Sequence, residues 1–205
     1  MHNDMAGSNP TVSASRPWPK RRDHSDEALI AKVAAGNRLA MQVLFARHHV
    51  RVYRFLLRLV GNDAVAEDLA SEVFLSVWRQ AHRFEARSAV TTWILAIARY
   101  KALAELRRRT EAPAEEESLE TSDPADDPEV AFQAKHRGEI LRQCLMQLSR
   151  EHREIIDLVY YHEKSVQEVA EILGIPGNTV KTRMFYARRK LSELLGAQGV
   201  GGASC

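Results

Sequence analysis

The sequence predicts an all-α protein of two small helical domains joined by a flexible acidic linker. Three observations carry this expectation. Apolar residues recur at intervals of three and four through residues 26–110 and again through 130–195, the spacing that gives a helix one buried stripe. Charge is segregated along the chain: residues 26–110 hold fourteen Lys/Arg against eight Asp/Glu, residues 111–129 hold nine acids and no base, and residues 130–205 hold eleven bases against eight acids. The third observation is the stretch from Ser165 to Leu191, which reads as two short helices hinged at a glycine.

Taken in order, residues 1–24 are rich in Gly, Ser and Pro and supply little that could form a core, so they read as a disordered tail. Ser25-Asp26-Glu27 opens a first helix, because a Ser or Asp oxygen can satisfy orphan amides and acids suit the positive end of the helix dipole. Leu29, Ile30 and Val33 form its apolar face, and Gly36-Asn37 ends it. A long helix follows from about Leu39 to Val60, with Val43, Leu44, His48, Val52, Phe55, Leu56 and Leu59 spaced for burial. The adjacent His48 and His49 point about 100° apart on a helix and make a poor metal pair. Gly61-Asn62-Asp63 breaks and re-caps the chain. Ala64 to Gln80 is a third helix, with Val65, Leu69, Val73, Val77 and Trp78 inward and Glu67, Asp68, Ser71 and Glu72 outward.

Residues 83–90 have no helical period and mix Arg83 and Arg87 with an exposed aromatic, Phe84. A fourth helix, residues 91–109, ends in Arg107-Arg108-Arg109. An aromatic loop followed by a basic helix suits unstacked bases held against a tracked backbone. Residues 111–129 carry three prolines among the acids and read as a linker extended by self-repulsion. A helix over 130–148 and another from Ser149, containing Ile155, Ile156 and Leu158, lead into the hinged pair. Residues 196–205 are Gly-rich and read as a second disordered tail.

Within the hinged pair, Val166, Val169, Ala170 and Leu173 give the first helix one apolar face, and Gly174 ends it in a conformation that glycine tolerates. The second helix buries Val180, Met184, Ala187 and Leu191, and turns Asn178, Thr182, Phe185, Tyr186 and Arg189 outward between Lys181, Arg188, Arg183 and Lys190. This is the composition of a helix-turn-helix whose second helix enters the major groove of duplex DNA. Cations neutralise phosphates, and Asn and Thr reach base edges.

The composition excludes several classes. With 205 residues, 45% hydrophobic and 27% charged, the chain has the make-up of a soluble globular protein. Two cysteines without a C-x-x-C argue against a disulfide framework or a cysteine-rich metal site, and suit a reducing cytoplasm. No apolar run approaches the roughly 20 residues that span a bilayer. No Glu-x-x-His pair supports a helical carboxylate metalloenzyme.

The runs Glu67 to Trp78, Thr92 to Arg99, Leu148 to Glu154 and Ala170 to Arg183 together resemble the extracytoplasmic-function sigma factors of bacterial RNA polymerase. The resemblance covers about residues 26–195. It implies a non-enzymatic cytoplasmic initiation factor that needs no cofactor or small-molecule substrate. Its implied partners are core RNA polymerase, promoter DNA and an anti-sigma factor, with a role in a stress or envelope response. By the same resemblance, Asp68, Ser71, Glu72 and Phe74 dock on the polymerase. Arg83, Phe84, Arg87, Ser88, Arg99, Tyr100 and Lys101 read and open the -10 element, and Asn178, Thr179, Lys181, Thr182, Arg183, Phe185, Arg188 and Arg189 read the -35 element. Domain limits follow at 25–110 and 130–195. The chain departs from the family's usual Gln at Ser71, and from its usual His and Arg at Phe185 and Tyr186. The rival reading is a stand-alone helix-turn-helix regulator, which would not need the aromatic-basic segment of the first domain.

Overall fold

A computed structural model describes residues 25–111 and 138–198. The expected N-terminal tail, most of the acidic linker, the start of the helix expected at 130 and most of the C-terminal tail lie outside the described residues. Within them the chain is helical, without a strand. The helices are α1 (Asp26–Ala34), α2 (Arg38–Val60), α3 (Asp63–Gln80), α4 (Val90–Glu111), α5 (138–146), α6 (Arg150–Ile156), α7 (Val166–Leu173) and α8 (Gly177–Ala197). A 3-10 turn, Ala81–Arg83, precedes the loop before α4, and α6 runs on into a π-helical turn, Asp157–Tyr161.

Local chemistry sets the boundaries. Ser25, Asn37, Asn62 and Ser149 each accept a hydrogen bond from the backbone amide three residues on, starting α1, α2, α3 and α6. Gly61 ends α2 at φ 71°, where a Cβ would be strained, and its amide donates to the Leu57 carbonyl. The first block is a four-helix packing around Leu44, Val52, Phe55, Leu56, Val73, Val77, Ile94 and Leu95, all essentially inaccessible. His48 is a core-edge histidine with Nε2 2.8 Å from Asp26, and burial lowers its pKa against the pull of that carboxylate.

Three expectations need correction. Val43 is 40% exposed, not buried, because α2 packs on one side only and its outer stripe of Leu39, Val43 and Val50 faces solvent. Phe84 is half-buried and packs on Trp93 with ring centroids 5.3 Å apart, so it is not an exposed loop aromatic. Phe74 is buried, at 3% exposure, with Phe45 edge-on to it at 4.8 Å.

The two blocks form one continuous apolar core. Ile155, Leu158, Val169, Leu173 and Val180 of the second block belong to the same buried cluster as the first-block residues. A smaller cluster of Leu148, Ile156 and Ala187 joins α6 and the preceding turn to α8. Ala98 and Ala102 are fully buried on α4. Their small side chains suit the close packing of α4 against its neighbours, α7 among them.

Candidate nucleic-acid interface

The helix-turn-helix is built from α7 and α8. Ser165 and Glu168 form a reciprocal capping box, so the first turn of α7 has its orphan amides satisfied at both ends of the box. Gly174, at φ 65°, ends α7, and Pro176 leads into α8 one residue later. Val180 and Ala187 are buried, which fixes the rotation of α8. Asn178, Lys181, Thr182, Phe185, Arg188 and Arg189 are consequently exposed, while Thr179 and Arg183 are half-buried. Arg183 pairs with Glu151 at 3.0 Å and Arg189 with Glu193 at 3.1 Å. The Arg188 guanidinium lies 5.6 Å from the centre of the Tyr160 ring. The helix therefore presents an electropositive face that carries an exposed aromatic.

The second set of residues lies around the start of α4. Arg83, Arg87 and Tyr100 are exposed, Tyr100 at 76%, while Ser88, Arg99 and Lys101 are half-buried. Ala86 sits at φ 53°, an uncommon conformation for a residue with a Cβ, and it bends the loop just before α4. Lys101 pairs with Glu72 at 2.8 Å, which links this set to the third. In that third set Asp68, Ser71 and Glu72 are exposed on α3, and Phe74 lies beneath them in the core.

Sequence reasoning missed the ionic seam between the blocks. Glu154, 5% exposed, receives the Arg99 guanidinium at 2.5 and 3.4 Å. Arg58 pairs with the buried Asp157, and its guanidinium also lies 4.3 Å from the Tyr161 ring centre. Lys164, 8% exposed, donates to Thr91 at 2.7 Å, to Thr92 at 3.0 Å and to Glu168 at 2.7 Å. Thr92 in turn donates to Glu168 at 2.6 Å. Burial pushes the Glu168 carboxyl up, but the bonds from Lys164, Thr92 and Ser165 outweigh it and bring the pKa down to about 2. The one signal for this seam was a pair of acids, Glu154 and Asp157, set among Ile155, Ile156 and Leu158.

No group of three or more metal-ligating side chains occurs among the described residues, and no described helix is long and apolar enough to cross a membrane.

Comparison with known proteins agrees with this architecture. Residues 44–111 match Sigma-70 region 2 and residues 138–191 match Sigma-70, region 4. The RNA polymerase sigma factor CarQ of Myxococcus xanthus is 35% identical over 161 residues, 77% of this chain and 90% of that protein. The ECF RNA polymerase sigma factor SigM of Mycobacterium tuberculosis is 32% identical over 184 residues, 88% of this chain and 90% of that protein. Among solved structures, CnrH in complex with the cytosolic domain of CnrY matches with a TM-score of 0.63 at 26% identity, covering 84% of this chain and 97% of that one. The sigma factor RpoE of Bartonella quintana shares the fold at a TM-score of 0.60 and 22% identity, covering 76% and 96%. The chain is a two-block helical DNA-binding protein of the sigma-70 class, and within it belongs to the extracytoplasmic-function sigma factors. A first block that matches Sigma-70 region 2 does not favour the stand-alone regulator.

Proposed function

We propose that this chain directs core RNA polymerase to promoters and helps open them, working in the cytoplasm without catalytic chemistry of its own. The observation that supports this most is the union in one chain of a basic helix-turn-helix with an aromatic-basic loop and helix start. Asn178, Thr179, Lys181, Thr182, Arg183, Phe185, Arg188 and Arg189 face the -35 duplex. Arg83, Phe84, Arg87, Ser88, Arg99, Tyr100 and Lys101 serve the opened -10 strand, with Phe84 acting from its half-buried place against Trp93. Asp68, Ser71 and Glu72 dock on the polymerase, and Phe74 holds their helix from below. The domains correspond to residues 25–110 and 130–195, joined by an acidic linker that lets them separate.

Separation follows from the seam. Arg99 cannot serve a phosphate or base while Glu154 holds its guanidinium, so the packed arrangement is a resting form that opens on polymerase and promoter. An anti-sigma partner that binds the packed form would hold the protein inactive, and CnrH, a structural relative, is itself seen bound to another protein's cytosolic domain. The test is transcription by sigma-free core polymerase supplemented with this chain. Initiation at discrete start sites that requires both components is expected. Duplex binding by the chain with no core-dependent initiation would sink the proposal.

A further inference from the structure

On the outer face of α8, Asn178, Lys181, Thr182, Phe185 and Arg189 follow one another at helical spacing, and four of the five are polar. Phe185 is the exception. It is 62% exposed, and among the described residues its ring neighbour is Tyr186, also solvent-facing and edge-on at 5.4 Å. It contributes nothing to the buried core. It is the ninth residue of α8, still in the N-terminal half that a recognition helix lays against base edges. Residues 178–190 hold five cations and no acid, so the occupant this face suits is a polyanion.

A phenyl ring can neither donate nor accept a conventional hydrogen bond. Of the groups displayed in the major groove, the one it can bury favourably is the thymine C5 methyl. Thr182 reinforces this. Its hydroxyl donates to the Asn178 carbonyl at 3.0 Å, so its donor is spent within the helix and it offers a methyl and acceptor lone pairs outward. Phe185 lies three positions after Thr182, about 4.5 Å along a helix axis, comparable to the base-pair rise of about 3.4 Å. The two apolar groups can therefore meet neighbouring base pairs. Asn178 and Lys181, one turn earlier, carry the hydrogen-bonding chemistry suited to adenine and guanine edges.

We infer that Phe185, supported by the Thr182 methyl, is a specificity-determining residue that reads one or two thymine methyl groups in the upstream promoter element. The inference rests on the proposed role of α8 as the -35 reader and names the base feature it selects. The ring belongs to the groove and not to a protein partner.

The experiment uses holoenzyme reconstituted from the full chain and core polymerase. The probe is a promoter duplex at which this holoenzyme initiates, with each thymine of the upstream element replaced singly by deoxyuridine, which lacks only the methyl. Burying one methyl corresponds to about a fourfold change in affinity. A loss of that size is expected at one or two positions. F185A should bind the parent duplex as weakly as the wild type binds the uridine duplex, and should show no further loss at those positions. F185L, still apolar, should retain part of the methyl effect, and K181A should retain all of it while weakening binding to every duplex. The exposed position of the ring makes these substitutions harmless to folding, which circular dichroism checks. Initiation without methyl sensitivity at any thymine, or equal sensitivity in wild type and F185A, overturns the assignment of Phe185 alone. A holoenzyme that engages no promoter overturns the role of α8 as well. Loss of binding to a protein partner by F185A, with the uridine effects unchanged, assigns the ring to that partner instead.

Discussion

The Arg99–Glu154 pair offers the sharpest test of the seam, because both of its members are defined and its strength can be reasoned from burial. Removing one member of a buried pair costs about 3–5 kcal/mol, since the other charge is left uncompensated. Arg99 keeps 22% of its side chain accessible against 5% for Glu154, so a stranded Arg99 regains some water. The coupling energy from a double-mutant cycle of R99A, E154A and the double variant is therefore expected near 2 kcal/mol. Urea unfolding measures it. Trp78 and Trp93 lie in the first block, residues 138–198 contain no tryptophan, and Trp18 lies outside the described residues. Tryptophan fluorescence thus follows the first block while far-UV circular dichroism follows both. The wild type should unfold with coincident curves, and E154A should separate them, the second block being the less stable. Additive single-variant effects, within about 0.5 kcal/mol, together with coincident curves in E154A, would refute the reasoning.

Three further predictions follow from the same geometry. The Glu168 carboxyl, drawn down to about 2, contributes stability that is complete above its unfolded pKa and is lost as the pH falls toward 2. E168Q should flatten that acid limb in thermal melts and cost about 1 kcal/mol near neutrality, a figure reduced for solvent screening at this partly exposed site. The Tyr53 hydroxyl donates to Asp63, and this bond, more than burial, pushes its pKa up to about 12. Its stabilising effect is present below the usual tyrosine range and disappears as the pH rises through 12, so one tyrosine should resist ionisation in an ultraviolet titration and D63N should release it. Charge reversal at Asp68 and Glu72 should weaken polymerase binding at least tenfold in a pull-down titration, because both carboxylates are exposed on α3. Unchanged polymerase affinity would remove α3 from the docking surface.

Much of the architecture was legible because it is written locally. Gly174 marks the end of α7 and the apolar period of α8 fixes which residues face out, while the Ser165–Glu168 capping box that starts α7 emerged with the structure. Periodicity says which face of a helix is apolar, but not which neighbour covers it. Val43 illustrates this: α2 carries more apolar surface than its three packing partners in the first block can cover, so part of its stripe stays in water. The resemblance implies a polymerase-docking role for Phe74, but its position on the α3 wheel beside Val73 and Val77 places it in the core. The seam was the least legible feature. Arg58, Arg99 and Lys164 each look like ordinary surface cations, and their partners lie 99, 55 and 72–73 residues away, the last apart from Glu168 on the same turn. Only Glu154, which precedes the Ile155–Leu158 run, and Asp157 within it hinted at the seam, because a carboxylate among buried aliphatic residues needs a cation to offset its desolvation.

Sequencing of the 5′ ends of transcripts made by the reconstituted holoenzyme on a library of random upstream sequences tests the two-reader claim most directly. Two blocks of preferred sequence at a near-constant spacing upstream of the start are expected, with R99A blurring the downstream block and K181A the upstream one. Starts that follow a single block, or that both substitutions leave equally sharp, would contradict a chain that reads its promoter at two separate points.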